Sequence, residues 1–160
     1  MDWKDRLFED LKRDEGVRLI PYMCPANKKT IGIGRNLEDV GISEEEAAYL
    51  GRSNVDDGIT DKEAKYLCQN DIERCHIEAR GVFTDFDSHP DDVKRVVSNM
   101  MFNLGLTTFR KFKKTIVAIE KRDYALAAIE AEDSRWFNQV GERAQRIVDV
   151  LRTAAERASV

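Results

Sequence analysis

Residues 14–37 read DEGVRLIPYMCPANKKTIGIGRNL, and the change of character inside this stretch sets the fold class. Upstream of it, Trp3, Leu7, Phe8 and Leu11 recur at helical spacing over residues 3–14. The spacing predicts a helix that ends at Glu15, with Gly16 supplying the left-handed residue that terminates it. Downstream, Leu19-Ile20-Pro21-Tyr22 and Thr30-Ile31-Gly32-Ile33-Gly34 are β-branched segments separated by the turn residues Pro25-Ala26-Asn27. A small antiparallel sheet over residues 18–37 follows from this pattern.

The rest of the chain is helical in character. Ser43 with Glu46, and Thr60 with Glu63, match the capping box in which each side chain satisfies an amide at a helix start. From the second box, Ala64, Leu67, Cys68, Ile72, Cys75 and Ala79 lie along one side of a long helix from Asp61 to about Arg80. Val93, Val96, Val97, Met100, Met101 and Leu104 form the apolar stripe of a helix from Asp91 to Leu104, ended by Gly105. Thr108, Asp123 and Ser134 read as N-caps of shorter helices, and Ala144, Ile147, Val148 and Leu151 give the last helix its buried face. The expected class is α+β, one domain over residues 1–160. A sheet-bearing lobe (15–60) is joined by a helix (about 61–80) to a helical lobe (81–160), on which helix 3–14 packs. A cleft is expected between such lobes.

Composition narrows the function without naming it. At 160 residues, 42% hydrophobic and 35% charged, the chain suits one soluble catalytic unit. Its net charge of −4, with both signs interspersed, announces neither a nucleic-acid partner nor stable membrane association. The start Met1-Asp2-Trp3-Lys4-Asp5-Arg6 is charged where a signal peptide needs its apolar run, so no export signal is expected. Cys24, Cys68 and Cys75 form an odd set without a Cys-x-x-Cys motif, as suits reduced thiols. On one helix, Cys68 and Cys75 stand roughly 10 Å apart, too far for a disulfide, and read as packing residues.

Glu15 is the candidate acid. At the C-terminal end of a helix, the negative end of the dipole favours the protonated carboxyl, although position alone does not separate a proton donor from a solvated helix-end residue. The surrounding pattern does. Asp14-Glu15-Gly16-Val17-Arg18-Leu19, Tyr22 and Thr30-Ile31-Gly32-Ile33-Gly34 resemble the active-site segment of the T-even bacteriophage lysozyme family. The resemblance continues in register through Gly58-Ile59-Thr60, Asn99-Met100 to Gly105, Ser134-Arg135-Trp136-Phe137-Asn138-Gln139 and Arg143-Ala144-Gln145-Arg146.

The resemblance implies a two-lobed lysozyme-like fold and an endolysin that hydrolyses the β-1,4 bond between N-acetylmuramic acid and N-acetylglucosamine in bacterial peptidoglycan. It implies Glu15 as general acid, Thr30 as the holder of the hydrolytic water, and inversion at the sugar. It also implies Asn103, Phe102 and Arg143 as substrate-binding residues, with Arg143 approaching Glu15. No metal or organic cofactor is implied. A monomer is expected, held in the host bacterial cytoplasm until a separate holin-type protein lets it reach the wall.

Two positions depart from the family. The Asp usual two residues beyond the matching tyrosine is Cys24 here. As a thiolate it would serve as base, nucleophile or electrostatic group; as a thiol it would only pack. An unperturbed thiol, with pKa about 8.5, needs nearby positive charge or hydrogen-bond donors to ionise at neutral pH, and Lys28 and Lys29 are near in sequence. The second departure is Arg35, where the family often has His; an Arg35–Asp71 ion pair tying the sheet to the long helix is expected. Other readings carry less weight: a cysteine hydrolase using Cys24 with His76 or His89, and a zinc site from Cys68, Cys75 and His76. The serious alternative is a catalytically impaired, peptidoglycan-binding relative of the same fold.

Overall fold

A computed structural model describes residues 2–159. In chain order the elements are α1 (Trp3–Glu15), β1 (Arg18–Met23), β2 (Lys29–Gly32), β3 (Arg35–Asn36), α2 (Glu44–Leu50) and α3 (Asp61–Val82), then a 3-10 turn (Phe86–Ser88). They continue with α4 (Asp91–Leu104), α5 (Leu106–Phe109), α6 (Lys113–Glu120), α7 (Tyr124–Glu132), α8 (Arg135–Val140) and α9 (Glu142–Ala158). The class is α+β, with one small antiparallel sheet in the order β1-β2-β3.

Chain contacts divide the molecule into two compact units. One is Phe8–Glu73; the other comprises the chain up to Leu7 and from Arg74 onward. The boundaries fall inside α1 and inside α3.

The sheet unit has a small apolar core of Ile31, Leu50, Val55, Ile59, Ala64 and Leu67. Beside it lies a buried ion cluster. Arg35, 3% exposed, forks onto Glu46 at 2.7 Å and Asp71 at 3.1 Å, and donates to the carbonyls of Gly41 and Leu67. The Arg35–Asp71 pair is therefore formed; Glu46, read in the sequence only as a capping residue, is its third member. Glu46 does both tasks at once, accepting the Ser43 N–H in the capping box and the Asn70 amide. Burial raises its pKa, but the Arg35, Ser43 and Asn70 donors outweigh that and hold it at about 2.

The helical unit is built on apolar stripes. Val93, Val96, Val97, Met100 and Met101 of α4 pack with Phe83, Phe86, Phe109, Trp136 and the α9 residues Ala144, Ile147, Val148 and Leu151. Asp123 and Ser134 cap α7 and α8 as expected. Thr108 is not an N-cap. Gly105 ends α4 and at once starts the single turn α5, which absorbs Thr108, while backbone bonds such as Phe112 N–H to Phe109 C=O satisfy the amides before α6. The long helix α3 runs past Arg80 through Gly81 to Val82, because Gly81 keeps helical geometry rather than the left-handed geometry that stops a helix.

Candidate active site

Glu15 is the last residue of α1, and the left-handed Gly16 (φ 74°), whose N–H bonds the Lys12 carbonyl at 3.0 Å, turns the chain directly into β1. Gly34 follows β2 with φ 69°; a Cβ added there would stand 2.8 Å from both Cδ and Oε1 of Glu15. The second glycine of Thr-Ile-Gly-Ile-Gly is thus the surface on which the Glu15 carboxyl rests, and no side chain fits between them.

Tyr22 on β1 is paired directly with Thr30 on β2, so the two side chains share a face of the sheet, and Cys24 follows Tyr22 by two residues. Thr30 is 4% exposed and its hydroxyl lies 2.9 Å from the Lys28 carbonyl. The turn joining β1 to β2 is closed by Cys24 N–H to Lys28 C=O at 2.9 Å and Asn27 N–H to Cys24 C=O at 2.8 Å, with Asn27 in the left-handed region at φ 61°. This fold of the backbone turns amides toward the half-buried Cys24 sulfur. Burial pushes its pKa up, but the polar groups of the turn around the sulfur, the Lys28 amide first, then the Thr30 side chain and the Ala26 amide, outweigh it and hold the thiol below its ordinary value.

The expected helpers, Lys28 and Lys29, do not stabilise the thiolate through their ammonium groups. Lys28 Nζ lies 3.6 Å from Asp39 and Lys29 Nζ 2.6 Å from Asp56. Backbone geometry supplies what charge was expected to supply.

Two further residues belong to this cluster and carried no role in the sequence reading. The Arg18 guanidinium sits over the Tyr22 ring at 4.6 Å. Burial raises the Tyr22 phenol's pKa, the negative charges of Glu15 and Cys24 raise it further, and Arg18 opposes them. Tyr22 therefore feels both acidic groups at once. The readable signal was the spacing Tyr22-x-Cys24, which keeps the thiol close to the ring just past the end of β1.

Glu15, Cys24 and Thr30 all lie in the sheet unit; Phe102, Asn103 and Arg143 lie in the helical one. Asn103 is exposed and its Oδ1 accepts the Trp136 indole N–H at 2.8 Å, Phe102 is half-buried, and Arg143 Nε donates to Asn99 Oδ1 at 2.9 Å, tying α9 to α4. His76 and His89 are engaged with Asp87 (2.6 Å) and the Tyr124 hydroxyl (2.7 Å). Among the described residues no group of three or more His, Cys, Asp or Glu is placed to hold a metal ion.

The sequence profile of the phage lysozyme family matches residues 12–156. The chain belongs to that family. Among its relatives is a "Probable T4-type lysozyme 2" of Dictyostelium discoideum, 30% identical over 92% of this chain and 94% of the relative. A "Probable T4-type lysozyme 1" of the same organism is 28% identical over 89% and 91% of the two chains. Membership of the phage lysozyme family supports a peptidoglycan-hydrolase role for the chain, and the matched span takes in the Glu15–Gly34 contact and the Cys24 turn.

Proposed function

We propose that this protein is a muramidase, cutting the β-1,4 bond between N-acetylmuramic acid and N-acetylglucosamine with Glu15 as general acid. The observation that carries the reading is the seating of the Glu15 carboxyl on the Gly34 backbone, in the same unit as the cross-strand pair Tyr22–Thr30 and the Cys24 turn that follows β1. Glu15 gives its proton to the glycosidic oxygen as the C1–O bond breaks. A water held by the Thr30 hydroxyl attacks C1 from the opposite side and passes its proton to the Cys24 thiolate, inverting the configuration. In this reading the thiolate acts as base and negative charge, and a nucleophilic sulfur would instead give retention. Asn103, Phe102 and Arg143 are proposed glycan contacts, and no cofactor takes part. The proposed setting is a phage endolysin that waits in the host cytoplasm for a holin-type partner, of which the family's description supports only the phage origin.

Turbidity loss of a cell-wall suspension tests the reading. Glu15→Gln should lower the rate by about a hundredfold or more while leaving the fold intact. Undiminished clearing by that variant removes Glu15 from the mechanism. Inverted product anomers are expected; retained ones would make Cys24 a nucleophile. The replacement of a carboxylate by Cys24 favours one other reading, a wall-binding protein without activity, which wall binding without clearing by the wild type would establish.

A further inference from the structure

Residues 110–122 carry six Lys or Arg against one Glu, a net +5, so the remainder of the chain carries −9 of the total −4. The interspersed charge of the chain as a whole conceals this concentration. Glu120, the one acid within it, is turned aside to accept the Thr84 N–H and hydroxyl at 2.9 and 2.7 Å.

The basic segment borders a groove of about 560 Å³ between α6 and α7, whose rim includes Lys113, Lys114 and Lys121 and whose floor is Val117, Ala118 and Leu126. Val117 is 49% exposed and Leu126 42%, and Ile129 stands out nearby on α7 at 58%. Two carboxylates also line the groove. Asp123 is used as the α7 N-cap, accepting the Leu126 N–H at 3.1 Å, and Glu130 stands at the far side. The lining is therefore cationic and apolar together, on a molecule that is otherwise acidic.

We propose that the α6–α7 groove docks the protein on an anionic phospholipid surface, the lysines meeting lipid phosphates while Val117, Leu126 and Ile129 enter the boundary of the acyl region. An anionic wall polymer would engage the lysines equally but would leave the apolar floor in water, and this is the reason a lipid fits better. The net +5 segment supplies attraction that decays over a Debye length, so attachment is peripheral and salt-sensitive. The inference is independent of the Glu15 mechanism.

Co-sedimentation with vesicles tests it. The full chain should bind vesicles of equal parts phosphatidylglycerol and phosphatidylcholine at low salt, release at high salt, and ignore pure phosphatidylcholine. The triple variant Lys113→Gln, Lys114→Gln, Lys121→Gln should lose binding by about tenfold or more. Val117→Ser with Leu126→Ser should lose it several-fold while keeping the salt dependence. The five substituted residues are exposed surface positions, so clearing of a cell-wall suspension and the thermal midpoint should hold for both variants, and Lys12→Gln with Lys62→Gln should bind vesicles as wild type does. Failure to bind anionic vesicles, or full binding by the triple glutamine variant, overturns the proposal. Lysine-dependent binding to soluble teichoic acid with no loss in the serine variant overturns it in favour of a wall polymer.

Discussion

The two units of this molecule solve the problem of stability differently. The helical unit relies on stripes of Val, Met, Ile and Phe that bury apolar area, and its interior shows large fully buried side chains such as Phe83, Phe86 and Phe109. The sheet unit buries fewer apolar side chains, among them Leu11, Ile31, Ile33 and Leu67, and spends part of its interior on Arg35, Glu46 and Asp71. An apolar core loses packing in proportion to what is removed, whereas an ion cluster requires all of its members, because each buried charge is acceptable only while the others are present. The sheet unit is also where Glu15, Cys24 and Thr30 must be held to a fixed geometry, a task suited to directional bonds.

That contrast can be broken most forcefully at Arg35. Arg35→Met should destabilise by about 3–5 kcal/mol in urea denaturation, since it strands Glu46 and Asp71, and part of the loss should return at low pH when they protonate. Phe109→Ala in the helical unit should cost a similar amount, about 3–5 kcal/mol, with no such recovery. Equal pH dependence in the two variants would show that the ion cluster is not what holds the sheet unit.

Within the sheet unit, Gly34→Ala and Gly51→Ala separate strain from function. Both glycines have left-handed φ, 69° and 76°, so both variants should lose about 1–2 kcal/mol. Nothing lies within 4 Å of a Cβ at Gly51, whereas at Gly34 the new atom must displace the Glu15 carboxyl. Only Gly34→Ala should also lose most of its wall-clearing activity. Equal activity in the two would detach Gly34 from the acid.

Acid titration sharpens the comparison further. Burial holds His89 below its ordinary 6.5, with Arg122 adding to the effect and Glu120 and Asp85 opposing it. The folded His89 is the weaker base, so stability is fully present above pH 6.5 and declines as pH falls toward the depressed folded value. Glu46, depressed from 4.5 to about 2, contributes stability that is present above 4.5 and lost as pH falls through about 2. The helical unit should therefore soften first, seen as amide protection factors in α4 and α7 falling as pH drops below 6.5 while those of the sheet unit hold. His89→Gln should flatten that slope.

At Cys24 the expected effect is on the pH profile of activity and not on stability. Donation by backbone amides and Thr30 should place the thiolate's rise in activity below the pH range of an ordinary thiol, and Cys24→Asp should move that rise lower still while remaining active. An unchanged pH profile in Cys24→Ser would leave the sulfur a packing atom.

The sequence by itself determined what is local. Helical spacing places α1, α3, α4 and α9, the Ser43 and Thr60 boxes start α2 and α3, and Gly16 and Gly105 stop α1 and α4, because these signals act within a turn or two of chain. The Arg35–Asp71 pair was legible too, from opposite charges standing at matched family positions. Tertiary structure decided the rest. Thr108 lost its cap to a turn begun by Gly105, and Glu46 acquired Arg35 as a partner eleven residues away. Lys28 and Lys29 went to Asp39 and Asp56 and left the Cys24 thiol to the amides of its own turn. Gly34 came to rest against Glu15 across nineteen positions of sequence. Each of these depends on where the backbone carries a group after folding, and residue type alone does not encode that direction.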